Sequence, residues 1–446
     1  MEGMYRFMNS QSTNAGVGVA SPSADGYIRV MSASRQPMEP WRRNLYILWA
    51  TQFLAMVGMN LVVPFLPYYI RSLGVTDPTE LAHWSGFVFS GPFLLAFFAT
   101  PIWGNLGDRY GRKMMVVRAI FGLAISQILM GFSQDVYQLF AFRVIQGAIS
   151  GFIASALALV STNTPREKIG YALGLMQSAT AGGMVLGPFV GGLLADFMGY
   201  RMIFFVTGTF CALGGIVVTT YVRELNKGSG MGKKFTIRQN FALMWSDKRL
   251  RVVALTLIVG QISVLMIEPI FALYIERFTS SSTRFVSTLA GGIFSIMGLF
   301  MVISAPWWGK RNDRLGYKKN LVIALAVVGV VYAGHIVVQD LFQLAILRAF
   351  LGFARGGVLP ALYSLTSFYA PPERRGGIIA IAASMTILGN MLGPSLGGTI
   401  AGWYGMTTSF VVTSLLLLAT SFAVWKYLVE PPRIATPTPR VEEETI

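Results

Sequence analysis

Pro101-Ile-Trp103-Gly104-Asn-Leu-Gly107-Asp108-Arg109-Tyr-Gly111-Arg112-Lys113 returns 205 residues later as Pro306-Trp-Trp308-Gly309-Lys-Arg-Asn-Asp313-Arg314-Leu-Gly316-Tyr317-Lys318. The shared residues are Gly, Pro, Trp, Asp and Arg, which chance matching of Leu-rich segments does not select. Outward from this stretch the same offset pairs Pro64 with Pro269, Tyr69 with Tyr274, Arg143 with Arg348, Gly147 with Gly352 and Gly151 with Gly356. One residue is then inserted, and an offset of 206 pairs Pro165 with Pro371, Gly183 with Gly389, Gly187 with Gly393, Pro188 with Pro394, Gly191 with Gly397 and Gly192 with Gly398. The chain is a tandem repeat.

Of the 446 residues, 54% are hydrophobic and 13% charged, against about 25% charged in soluble proteins. Twelve stretches, from 45–70 to 407–428, are apolar for the roughly 20 residues that a spanning helix needs, six in each repeat. Lipid leaves no water for a bare peptide group, and the alternation of a barrel is absent, so the spans must be helices. The expected fold is an all-α membrane protein of twelve helices in two pseudo-symmetric six-helix bundles. The reading divides the chain into a disordered cytoplasmic tail (1–40), an N-terminal bundle (41–222), a cytoplasmic linker (223–250), a C-terminal bundle (251–430) and a second disordered tail (431–446). Within the linker, 235–247 has the pattern of a short amphipathic surface helix. Parallel repeats of this size point to a carrier that binds substrate between its halves and rocks.

The net charge of +16 invites a nucleic-acid reading, which its distribution opposes. With the N-terminus placed in the cytoplasm, 29 of the 36 Lys and Arg fall on that side. Only Arg71, Arg201, Arg277 and Arg284 fall opposite. This positive-inside bias puts both termini in the cytoplasm, and a basic face on anionic lipid accounts for the charge. The lone Cys211 excludes an internal disulfide and a Cys-based metal site. His83 and His335 are too far apart in sequence to suggest a metal centre, and His335 reads as a packed polar residue. No phosphate-binding loop or catalytic triad is visible, so no enzyme activity and no cofactor are expected.

The stretch 104–113 reads as a tight hairpin between the second and third spans, with Gly where backbones turn or approach. Asp108 is an acid set among cations at the membrane edge. This stretch resembles the signature loop of the major facilitator superfamily, Gly-x-Leu-Ala-Asp-Arg-x-Gly-Arg-Lys, with Gly107 in place of Ala. The resemblance extends over all twelve spans. It implies a cytoplasmic gate latch at Gly104, Asp108, Arg109, Gly111 and Arg112. In the degenerate second copy, it implies the same for Asp313 and Arg314. A plain positive-inside anchor is the competing reading.

Four further features carry chemistry. The fourth span holds Leu139-x-x-x-Arg143-x-x-Gln146-Gly147. A guanidinium inside a membrane helix is costly and usually functional, and the spacing resembles the superfamily's proton-transfer motif. Arg143 would bias an acid, hold substrate, or serve as an interior hydrogen-bond hub. In the fifth span Gly183, Gly187, Pro188, Gly191 and Gly192 offer a small face for close helix packing. They resemble the antiporter motif of exporters, repeated in the eleventh span. Asn60-x-x-x-Pro64-x-x-Pro67 resembles the first-span motif of drug antiporters, without the acid some relatives carry. That leaves Glu268, amid apolar residues of the seventh span, as the expected proton carrier, with Arg348 and Arg355 as interior cations.

The resemblance implies a proton-coupled exporter of small amphipathic compounds in the drug:proton antiporter subfamily. Its partners would be a small-molecule substrate, protons and the lipid bilayer of a bacterial inner membrane, with no nucleic acid and a monomeric chain. A metabolite, sugar or organic-anion carrier is the alternative within transport. A non-transporting receptor is the alternative outside it. Three arginines against one glutamate suit an anionic or zwitterionic substrate better than a simple cation.

Overall fold

Peptide groups without water must bond within their own segment, and among the described residues twelve helices long and apolar enough to cross a bilayer follow one another. We number them α1 (Pro40–Ser72), α2 (Pro78–Tyr110), α3 (Arg112–Gly131), α4 (Val136–Asn163), α5 (Arg166–Met198) and α6 (Tyr200–Tyr221) in the first half. The second half holds α7 (Lys248–Phe278), α8 (Val286–Leu315), α9 (Tyr317–Val337), α10 (Leu341–Tyr369), α11 (Pro372–Tyr404) and α12 (Met406–Tyr427). The computed structural model describes residues 39–149, 151–225, 236–279 and 285–431, without the side chains of Pro101, Asn105 and Asp108. The tails expected over 1–38 and 432–446, and the 226–235 part of the linker, lie outside the described residues. Phe98, Ile125, Phe197, Leu415 and Phe422 each leave more than half their surface exposed. Apolar exposure of that extent is what lipid, rather than water, covers.

The repeat shows in the places where helices break. Proline lacks an N–H, so it interrupts a helical ladder. A 3-10 turn at Val63–Phe65 interrupts α1 around Pro64, and α7 breaks at its mate, between Leu265 and Glu268-Pro269. The α4 helix is interrupted at Gly151, and α10 at the mate Gly356 and its neighbour Gly357. Pro188 and Pro394 instead stay inside unbroken helices. The hairpins α2–α3 and α8–α9 turn on Gly111 (φ 102°) and Gly316 (φ 91°), a backbone region that side-chain-bearing residues avoid.

The glycine faces set the packing. A Cβ on Gly183 would lie 2.4 Å from Met56 Cβ, and one on Gly187 2.5 Å from Asn60 Cβ, so α5 lies directly on α1. In the second half Gly389 and Gly393 seat α11 on α7 at Gln261 and Ile262. Gly192 and Gly398 work differently, because they face the other half. Gly192 meets Ser287 and Thr288 of α8, and Gly398 meets Ala82 and Gly86 of α2. The motif expected for packing alone therefore serves both helix pairing within a half and contact between halves, where α5 runs along α8 and α2 along α11.

The linker helix forms at Ile237–Ser246, capped by a reciprocal Thr236–Gln239 box, and packs on α7 and α11. Asp247 follows and accepts from the N–H groups of Arg249 and Leu250. Burial pushes its carboxyl up, but the Arg249 side chain and these N–H groups outweigh that and hold it below the usual range. His335 is the packed residue expected, its Nδ1 2.8 Å from Val331 O and its ring stacked on Phe410.

Candidate functional site

A cavity of about 430 Å³ is lined by α1, α2, α3 and α4, with Ile387 of α11 as its contribution from the other half. Its lining is apolar, including Met56, Met59, Val63, Phe89 and Phe152, and polar only at Asn60, Thr100, Arg143 and Gln146. That combination of an apolar wall with a few placed polar groups is typical of small-molecule sites. The break at Gly151 and the 3-10 turn after Val62 put irregular backbone on this cavity, where it does not face lipid. Asn60 Nδ2 donates to Met56 O at 2.7 Å. Arg143 Nη1 donates to Gln146 Oε1 at 3.3 Å, and Arg143 Nε is buried without an acceptor.

The other interior charges gather in the second half. Glu268 Oε1 lies 3.4 Å from Arg355 Nη1 and 3.8 Å from Arg348 Nη1. Both guanidiniums also reach Met297 Sδ, at 3.3 and 3.4 Å. Arg348 is fully buried, with its Cζ 3.1 Å from the centre of the Phe271 ring. Two cations on one carboxylate, with Glu268 and Arg348 buried and Arg355 partly so, make an arrangement in which removing the carboxylate strands a buried charge. Glu268 is buried rather than reaching water, and it does not line the large cavity. Arg355 borders a separate space of about 40 Å³ with Gln261 and Met301. The structure thus joins Glu268, Arg348 and Arg355 and leaves Arg143 apart from them.

At the hairpin ends, sequence reasoning missed the principal partner. Glu224, just past α6, accepts from the first N–H groups of α3, Arg112 at 2.9 Å and Lys113 at 3.3 Å. Glu430, just past α12, does the same for Tyr317 at 2.7 Å and Lys318 at 2.8 Å. A carboxylate on bare helix N–H groups is favoured by charge and geometry alike. The two acids stand 206 residues apart, so the repeat offset carried that signal. Arg112 Nη1 also donates to Ala158 O of α4 at 2.8 Å. Gly104 has nothing within 4 Å of a would-be Cβ, so in this structure it is open rather than a point of close approach. Arg109 lies over the Tyr110 ring, Arg314 sits on an open surface with Trp307, and Asp313 Oδ1 stands 3.5 Å from the Tyr317 hydroxyl. The Asp108 side chain is outside the described residues.

A family model described as Major Facilitator Superfamily matches residues 48–339 and 281–445. The chain belongs to the major facilitator superfamily. It is 36% identical over 399 residues to the multidrug resistance protein MdtG of Rahnella sp. (strain Y9602), covering 88% of this chain and 97% of that one. It is likewise 36% identical over 406 residues to MdtG of Salmonella arizonae, covering 91% and 100%. Among solved structures, the nucleoside transporter NupG shares the fold at a TM-score of 0.72 with 15% identity, over 85% of this chain and 98% of that one. An inward-facing, unoccupied bacterial homolog of the human lysosomal transporter Spinster superposes at 0.70 with 15% identity, over 87% and 97%.

In this member of the superfamily the halves meet at the end opposite the signature hairpins. Arg71 and Glu276, mates in the repeat, form a two-pronged ion pair at 2.8 and 2.9 Å across the pseudo-twofold axis. Tyr68 OH donates to Ala272 O at 2.8 Å beside it. Asp196 of α5 accepts from the Thr288 N–H at 2.8 Å and hydroxyl at 2.7 Å, on the first turn of α8. Further hydrogen bonds between the halves lie deeper along α5 and α8, from the Phe189 N–H to Ser295 Oγ at 3.1 Å, and along α2 and α11, between the Ser395 and Ser90 hydroxyls at 2.8 Å. Both partners of the Arg71–Glu276 pair are partly exposed, so it adds about 1 kcal/mol at most, and its removal should shift conformation rather than unfold the protein. Arg71→Glu is expected to lower cross-linking of cysteine pairs placed at this end by about two- to fivefold. The exchanged pair, Arg71→Glu with Glu276→Arg, is expected to restore it.

Proposed function

We propose that the protein exports small amphipathic compounds in exchange for protons, working as a monomer in a bacterial inner membrane with its termini and signature hairpins in the cytoplasm. The observation that carries this reading is the apolar cavity with a few polar groups, walled by the first half and by Ile387 of the second, in a molecule whose halves are tied by the Arg71–Glu276 and Asp196–Thr288 contacts at the end away from the signature hairpins. Substrate would enter from the cytoplasmic side in this conformation. The Arg71–Glu276 and Asp196–Thr288 contacts would then part as the hairpin end closes. The open face at Gly104 is where α2 would receive its opposite helix in the closed state. The charge distribution supports the orientation, and the MdtG relatives, named as multidrug resistance proteins, support the substrate range. Glu268 is the interior acid offered to the proton, and its release from Arg355 and Arg348 on protonation would link proton uptake to movement of α7 against α10. The test is efflux of phenylnaphthylamine, tetraphenylphosphonium and anilinonaphthalenesulfonate from cells lacking other exporters. Expression should lower accumulation of at least one, and a protonophore should abolish the effect; accumulation of all three unchanged at verified expression would contradict the reading.

A further inference from the structure

Arg143 and Arg348 occupy equivalent places in the two repeats, yet among the described residues only Arg348 has a counter-charge. Arg348 faces the Glu268 carboxylate at 3.8 Å. At the offset of 205, the mate of Glu268 is Val63, which lines the large cavity together with Arg143. The surroundings are exchanged in the same sense. Met297, whose sulfur touches Arg348, has Pro92 as its mate, and Pro92 also lines the cavity. Leu265 and Leu351 in the second half correspond to Asn60 and Gln146 in the first, both on the cavity wall. In place of the internal carboxylate the first half therefore carries two amides on the wall that holds Arg143, whose Nε is buried without a partner, as is that of Arg348. Among the described residues lining this cavity, Arg143 is the only charged one.

We propose that the cavity takes an amphipathic monoanion whose head group sits on Arg143, in the place where the repeat puts the Glu268 carboxylate in the other half. The inference deepens the export reading and rests on it. A guanidinium set in an apolar wall without an anion is less well satisfied than in bulk water, and a charged ligand oxygen relieves it. Asn60 and Gln146 can donate to further oxygens of the same head. The Met and Phe walls, and a volume within the range of drug-sized sites, fit an aromatic or alicyclic body. Val63 leaves the head-group space that Glu268 fills opposite.

The test compares two probes that differ by one charge, anilinonaphthalenesulfonate and its uncharged parent phenylnaphthylamine, with tetraphenylphosphonium as the cation. Binding is measured on the purified full chain in detergent or nanodiscs, and transport in proteoliposomes. The wild type should bind the sulfonate about 10- to 100-fold more tightly than the parent, the range of a charge-assisted hydrogen bond. Arg143→Gln should collapse that ratio to about one. Val63→Glu should collapse it as well, by supplying from within the anion that the substrate otherwise brings. Val63→Gln, of the same size without the charge, should keep the ratio well above one. Should Val63→Glu not fold, Arg143→Gln and Val63→Gln decide the matter through the same ratio. A wild-type ratio near one, or a ratio unaltered by Arg143→Gln, overturns the proposal. Transport of phenylnaphthylamine and tetraphenylphosphonium without the sulfonate overturns the anion site and leaves the export reading standing. Failure of the folded protein to move any of the three overturns both.

Discussion

Replacing Glu268 with Gln is expected to reduce accumulation of substrate against its gradient to none, while downhill exchange persists. The amide keeps the shape of the carboxyl but cannot take up and release a proton. It also removes the only anion within reach of Arg348 and Arg355 among the described residues. Breaking a buried pair on one side costs about 3–5 kcal/mol, because the remaining charge has no partner. A drop in thermal stability should therefore accompany the loss of coupling. The two effects separate in the double variant Glu268→Gln with Arg355→Gln, which removes one of the stranded cations. Stability should return in part and uphill transport should not. Full uphill accumulation by Glu268→Gln, measured in vesicles with an imposed pH gradient, would remove Glu268 from the coupling path. Asp196 and Glu276 are carboxylates already seated between the halves.

Gly187→Leu should abolish transport and destabilise the protein. A Cβ there meets Asn60 Cβ at 2.5 Å and Val57 O at 2.9 Å, one of them backbone that cannot swing aside. Overpacking of a tight helix contact costs about 1–3 kcal/mol even where neighbours yield. Here the neighbour is α1, which carries Asn60, Met56, Met59 and Val63 into the cavity. The control lies on the same helix: Gly174 has nothing within 4 Å, so Gly174→Leu should leave melting temperature and transport near wild type. Thermal unfolding followed by size-exclusion chromatography checks both. Equal melting of the two variants would mean that the α1–α5 contact adds nothing.

The repeat made much of this arrangement legible. Gly, Pro and Trp mates at fixed offsets located the hairpins and the glycine faces, because backbone geometry restricts those positions to few residue types; the helix breaks at the mates Pro64 and Pro269, and Gly151 and Gly356, fall on the same repeat but were not read from it. Trp103 and Trp308 illustrate the point: each donates at 2.7 Å to the carbonyl of a residue that is itself a repeat mate, Ala148 and Phe353. Reading that same repeat for charge rather than shape would have found more. Arg71 with Glu276 and Glu224 with Glu430 both stand at repeat offsets, one pair meeting across the axis and the other capping equivalent helices. Exposed-looking acids at span ends gave no local signal, since their partners are backbone N–H groups or the opposite half. The separation of Arg143 from the Glu268 cluster was also hidden. Position within a helix says how deep a charge lies, but only packing says which neighbour it faces.

Proton movement elicited by substrate is the most direct measurement. Wild-type protein in proteoliposomes, loaded with a pH-sensitive dye and given no imposed proton gradient, should move protons opposite to phenylnaphthylamine when that probe is added to one side. The proton signal should vanish in Glu268→Gln while probe exchange remains. Probe transport by the wild type with no accompanying proton flux, or with protons travelling in the same direction as the probe, would contradict exchange of substrate for protons.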